Sequence, residues 1–246
     1  FADVEMRAQG TASAQGLQEA RELGLLVDLA RKASGSARYD MTLRVRRGVP
    51  EIALTTDLQG MSLHLPDPLR KDPQSQLPVR FENQLLPISL AAGSDATPLQ
   101  ERLSVDIGTL AHVQYERRLG AGGPTVLRGS VAVGVPDAEQ RSLPTQGVQA
   151  NLRFAALDID AWQAALAAEA SSSAEPGAQK SASSAADILQ SYLPTVFALQ
   201  AQRLNAQGRT LHGLVVGGSR LGRVWRANLD AQELAGYLEY RQAGDA

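Results

Sequence analysis

Chemistry needs a few reactive side chains brought together, and the three histidines, His64, His112 and His212, are the first place to look. Each stands alone in an alternating stretch with no second ligand at metal-site spacing, so each reads as a structural or surface histidine and no metal site is expected. Asp158 and Asp160 form an Asp-x-Asp pair. Such a pair could serve divalent-cation or glycosyl-transfer chemistry, but Trp162, Ala165 and Leu166 follow at helical spacing, and a helix start needs an oxygen acceptor there. Asp160 is therefore expected to be an N-cap, with Gln163 in the capping-box position. The runs Gly120 to Pro124 and Gly217-Gly218 lack the Lys and Ser/Thr of a phosphate loop and lead into strands, so both are expected to be turns. Ser62, Ser142 and the serine-rich stretch 171–184 have no G-x-S-x-G context and no paired histidine and acid. Glu51, Asp57, Glu82 and Asp106 are scattered, without sign of the two carboxylates, roughly 5 to 10 Å apart, that a glycosidase needs. The expectation is a chain with no catalytic group and no cofactor.

What these residues sit on is a succession of alternating strands. Val4, Met6 and Ala8 share one face of a first strand; Met41, Leu43 and Val45 share a face of a second, joined across Arg47 to Pro50 to a third carrying Ile52, Leu54, Thr56 and Leu58. Gly24 to Leu29 reads as a further short strand, and Leu17 to Leu23 as a helical turn or polar connection. Met61, Leu63 and Leu65 continue the pattern up to Pro66-Asp67-Pro68, where prolines force the chain out of the sheet or to its edge. After a strand at Leu77 to Asn83, Leu103 to Arg117 reads as one long strand, and Thr125 to Val135 returns after the glycine turn. Val148 to Ala156 alternates cleanly. Short helices are expected near 160–170 and 184–192, separated by a mobile loop at Ser171 to Ser184. From Val196 to Tyr240 the spacing predicts a four-stranded meander with turns at Gly208-Arg209, Gly217-Gly218 and Asp230.

Composition narrows the function classes. With 24 Lys and Arg against 26 Asp and Glu the net charge is −2, and no basic cluster stands out, which argues against nucleic-acid binding. Cysteine is absent, so a disulfide framework and a thiolate metal site are excluded. No stretch of about 18 uninterrupted apolar residues and no signal sequence is found, so any membrane anchor is expected outside this chain. The chain starts at Phe1 and its last strand runs almost to its end, so residues 1–246 are read as one section of a longer protein. What composition leaves is an excess of long apolar strand faces with 4% aromatic residues. They are either ordinary core or an open groove for acyl chains, whose methylenes each gain roughly 0.8 kcal/mol on burial without directional demand.

Three segments bear on that choice. Gln59 to Lys71, QGMSLHLPDPLRK, resembles the L-x-G-x-x-x-x-L-P-x-P-L-x-K segment of YhdP proteins, of the AsmA-like and TamB-like superfamily. Gly147 to Trp162 is similar to that family's strand leading into an Asp-x-Asp-x-Trp helix start, and Leu193-Pro194 through Leu199, Leu204, Gly208, Leu211, Leu214, Trp225 and Gly236 to its closing meander. The three occur in family order. The resemblance implies a periplasmic section of an inner-membrane-anchored protein that carries phospholipid along a β-groove toward the outer membrane, touching membrane only through parts outside this chain.

The expected fold is therefore mostly β, an extended, twisted antiparallel sheet curved into a hydrophobic groove, with two short helices. The expected wall residues are Val131, Val133, Leu152, Phe154, Phe197, Leu199 and Trp225, and the expected partners are phospholipid acyl chains, with self-association through sheet edges and no nucleic acid. The alternative is a periplasmic assembly scaffold whose sheet edges pair with client strands of outer-membrane proteins.

Overall fold

The computed structural model describes residues 4–19, 31–87, 98–120, 123–136, 142–170 and 190–242. They form one open sheet. Its strands are β1 (Val4–Ser13), β2 (Ala33–Arg46), β3 (Val49–Thr56), β4 (Met61–Leu63), β5 (Val79–Leu85), β6 (Gln100–Ile107), β7 (Ala111–Arg118) and β8 (Thr125–Val133). There follow β9 (Gly147–Asp158), β10 (Val196–Ala206), β11 (Arg209–Leu221), β12 (Val224–Asp230) and β13 (Ala235–Arg241). Helix α1 (Ala14–Glu19) follows β1, and α2 (Ile159–Ala170) follows β9. The spatial order is the chain order, β1-β2-β3-β5 and so on to β13, with β4 off this path and paired to β2. Short turns join β2 to β3, β6 to β7 and β10 through β13 in succession, and each such hairpin adds a strand beside its predecessor.

The sheet is mixed rather than wholly antiparallel. β9 runs parallel to both neighbours, β8 and β10. Parallel neighbours need a long connection, and in sequence β8, β9 and β10 are separated by 134–146 and 159–195.

Three expectations are corrected. Leu103 to Arg117 is two strands, β6 and β7, joined by a three-residue turn in which Gly108 has φ +50° and Leu110 donates to the Ile107 carbonyl. Because Ile107 pairs with Ala111, odd-numbered residues stay on one face on both sides of the turn, so the alternation runs through it unbroken. Gly217-Gly218 is no turn: both lie within β11, and the chain reverses at Gly222-Arg223. Asp160 is not the N-cap of α2; Asp158 is, its carboxylate accepting from the Ala161 amide at 2.8 Å. Gly24 to Leu29, the loop Ser171 to Ser184 and most of the 184–192 helix lie outside the described residues; 190–192 is helical.

Small cores form where elements lie against the sheet. Ala14, Ala37 and Met61 are buried together under α1 and β4. Leu157, Ala201, Leu204 and Leu214 are buried near the start of α2, packed by Phe154, Trp162 and Leu211. Trp162 Nε1 donates to the Asp67 carbonyl at 3.1 Å, joining α2 to the turn that follows β4. Elements packed on β2 and on β10 thus meet at one end of the strands.

Candidate functional site

The register identifies the surface on which function can be sought. Directly opposed residues share a face, so a chain of partners can be followed across the sheet. One such row begins Ala8, Met41, Leu54, Phe81, Val105 and Val113. It continues through Val131, Ala150, Phe197, Gly218, Ala227 and Leu238. Twelve strands contribute, and no position carries a polar side chain. At 4.7–4.9 Å between strands this band is roughly 50 Å long. Met41, Leu54, Phe81, Val105, Val113 and Val131 are all half-buried, neither sealed in a core nor fully exposed.

The neighbouring row, one residue along every strand and therefore on the opposite face, has another character. It includes Arg7, Thr42, Glu82, Ser104, Gln114 and Ser130, then Gln149, Ser219, Arg226 and Glu239. Charges there are paired. Glu116 accepts from Arg128 at 2.6 Å and Arg102 at 2.8 Å. Burial alone would push the Glu116 carboxyl up, but those two guanidiniums outweigh it and hold it below the usual carboxylate range.

The apolar face has two unlike margins. Along one end of the strands lie α1, β4 and α2. Along the other, the chain entering β10 crosses the face: Tyr115 Oη donates to the Tyr192 carbonyl at 3.0 Å, the two rings meet edge-on at 5.0 Å, and Arg117 donates to Tyr192 Oη at 2.9 Å. Burial, with Tyr192 alongside, pushes the Tyr115 phenol up to about 12. Arg117 is also ion-paired with the buried Glu101. From the other side Arg220 donates to the carbonyls of Gln190, Leu193, Pro194 and Gly222 and stands over the Trp225 ring, 5.6 Å from its centroid. The result is a trough: an apolar floor crossing the strands, with a margin at each strand end.

Its floor is shaped by glycines placed opposite aromatic residues. Gly10 faces Tyr39, Gly129 faces Tyr115 and Gly218 faces Phe197, each as direct cross-strand partners. A Cβ on Gly10 would lie 2.8 Å from the Tyr39 oxygen, and one on Gly129 2.7 Å from Tyr115 Cε1. A Cβ on Gly218 would lie 2.5 Å from the Arg226 carbonyl oxygen and collide with the Phe197 ring tip. Each ring therefore lies down over its glycine instead of standing into the trough.

The seven wall residues chosen from sequence share this face. Val131 is in the central row with Phe197; Val133, Leu152 and Leu199 form the row beside it; Phe154 lies one row further; Trp225 opposes Arg220. They sit on β8, β9, β10 and β12 only. The sequence reading missed that Met41, Leu54, Phe81, Val105 and Val113 extend the same row. Their alternation was visible, but pairing order was needed to align them.

The polar candidates are engaged with neighbours. His112 Nδ1 meets Asp106 at 2.5 Å, His212 Nδ1 meets Glu233 at 2.6 Å, and His64 Nε2 lies 3.2 and 3.3 Å from the hydroxyls of Ser62 and Ser34. Glu51 is buried and accepts from the Leu85 amide, Asp57 accepts from the Gln59 amide, and Glu82 is paired with Arg80. Asp160 takes the amides of Gln207 and Gly208 at 2.7 and 3.0 Å, which hold its carboxyl below the usual range and fasten the β10–β11 turn, where both residues have positive φ. Among the described residues no group of three or more metal-ligating side chains occurs, and no helix is long and apolar enough to cross a membrane.

An open sheet with an uninterrupted apolar row across one face, margins at both strand ends and a charged back defines a β-trough protein. A family model described as YhdP protein matches residues 2–246, and the chain belongs to the YhdP family. Searches of curated proteins and of solved structures find no match.

Proposed function

We propose that this chain is a non-catalytic section of a lipid conduit, in which phospholipid acyl chains lie along the apolar trough and slide across successive strands between inner and outer membrane. On this reading it works in the periplasm, and membrane anchoring is the task of other parts of the protein. The observation that carries the reading is the central row: twelve positions on twelve strands without a polar side chain, half-buried through β2 to β8. A groove for acyl chains needs apolar contact everywhere along its length and no directional partner, because methylene burial gains roughly 0.8 kcal/mol wherever it occurs. The charged and hydroxyl-bearing rows of the opposite face offer acyl chains no comparable apolar path.

Native mass spectrometry of the purified chain with lipid extraction tests this, repeated on Val133→Asp and Phe154→Asp. Phospholipid that co-purifies with the parent and is lost from a still-folded variant is the expected result. A lipid-free protein unable to take up a labelled fatty acid would remove the proposal.

A second reading, an assembly scaffold for outer-membrane proteins, draws on β13. All seven of its residues are exposed, Tyr237, Leu238 and Tyr240 among them, and it ends the sheet. An edge of that kind can accept a client strand or a second copy. Binding of extended peptides in place of lipid would favour it.

A further inference from the structure

We infer that the trough is polarised across its width, so that a bound phospholipid keeps its phosphodiester at the Arg117–Arg220 margin and lays its acyl chains over the central row toward α2. This rests on the lipid-binding reading above.

The margins differ in chemistry. At the α2 end the face closes on Leu157, Leu204, Leu211 and Leu214 with Trp162, all apolar packing. At the other end it carries Glu101, Arg117 and Arg220. Glu101 opposes Arg117 one row beyond Leu103 and Tyr115, so both stand on the apolar face. Arg220 belongs to the row of Tyr115, reached through Gly129, Val148 and Thr195, the last donating to the Val148 carbonyl and accepting from the Arg220 amide. Over β9 to β11 the α2 end of the floor is thus apolar, with the carboxylates of Asp158 and Asp160 committed to backbone amides and the buried Lys71 lying apart beside β4. The other end carries guanidiniums, which is the division an amphiphile has along its own length.

The charge count selects the headgroup. Glu101 neutralises Arg117. Arg220 meets only backbone carbonyls and an aromatic ring, and no carboxylate among the described residues bonds to it. Burial pushes its pKa down, as it does for a cation without a counter-charge. Those carbonyls use four of its five N–H groups, leaving one. Arg117 Nε is a buried donor with no acceptor. The margin therefore holds one uncompensated positive charge, and a phosphodiester supplies one negative charge with oxygens that guanidinium N–H groups bind well.

Competition between phosphatidylglycerol and diacylglycerol of identical acyl chains, followed by native mass spectrometry, tests the orientation. Charge-assisted hydrogen bonds of roughly 1.5–3 kcal/mol predict retention of phosphatidylglycerol at least about tenfold over diacylglycerol. Arg220→Gln brings that ratio toward one while labelled fatty-acid uptake persists, Arg220→Lys keeps most of it, and Glu101→Gln, which leaves a second positive charge uncompensated, raises it. Equal retention of the two lipids by the parent overturns the inference, as does a ratio unmoved by Arg220→Gln in a folded variant. Should Arg220→Gln fail to fold, Glu101→Gln decides, and no rise in the ratio overturns the inference. A protein that takes up neither lipid nor fatty acid fails at the earlier step, and the lipid-binding reading falls with it.

Discussion

At the scale of single residues, Gly129 and Gly218 show how little space separates an open trough from a blocked one. A methyl group on Gly129 would occupy the place of the Tyr115 ring and disturb its contact with Tyr192. Gly129→Ala is expected to cost about 1–3 kcal/mol, the usual range for overpacking. Gly217→Ala, on the opposite face with nothing within 4 Å of the new methyl group, should stay within about 0.5 kcal/mol of the parent. Thermal unfolding of the two variants checks this; equal stability would mean that the ring does not need its glycine. A pair of adjacent glycines in sequence suggested a turn, because Gly217-Gly218 looks the same whether it supplies conformational freedom or room for a ring. Only the strand partner, Phe197, distinguishes the two. On the charged face, Glu116 makes a pH prediction. Its carboxyl is held below the ordinary carboxylate range in the folded protein, so its contribution is present above the unfolded pKa and is lost as pH falls through the folded value. The unfolding temperature should therefore fall below about pH 4, and less steeply in Glu116→Gln.

At the scale of elements, much was legible because hydrophobic period and turn chemistry are local. The hairpin of β2 and β3, the strand β9 and helix α2 lie close to where alternation and helical spacing place them. What was hidden depended on parity or on distant partners. An odd-length turn between β6 and β7 preserves the face of every later residue, so no break in alternation announces it. The parallel placement of β9 needs to be known from its neighbours, since a strand's own sequence does not carry its direction. The Asp-x-Asp pair was assigned correctly to backbone capping, but with the wrong carboxylate on the helix: Asp158 caps α2 and Asp160 reaches the β10–β11 turn. Asp158→Ala should thus cost about 1 kcal/mol while Asp158→Asn costs little, because an asparagine side chain still offers the Ala161 amide an acceptor. Comparing the two by denaturant unfolding separates this capping role from a simple loss of charge, which would affect both equally.

At the scale of the whole molecule, the question is whether the trough acts as a conduit or as a pocket. A pocket concentrates its contacts, whereas a conduit must be passable at every strand. The seven residues chosen from sequence cluster on β8 to β12, as a pocket would, but the row they belong to begins at Ala8 and has no polar interruption before Leu238. Continuity can be tested with a charge at two distant points of that row, Leu54→Asp on β3 and Val131→Asp on β8, each on a half-buried position where it faces the trough. A conduit roughly 50 Å long holds lipid on both sides of either lesion, so each variant should lose part of the bound lipid and retain the remainder. A single pocket near β8 would lose everything with Val131→Asp and nothing with Leu54→Asp. Thr55→Asp, at an exposed position of the opposite face beside Leu54, supplies the control, since a charge there meets water and leaves the row untouched. Lipid stoichiometry by native mass spectrometry reads all three, and partial loss at both floor positions is the outcome that only an uninterrupted path produces.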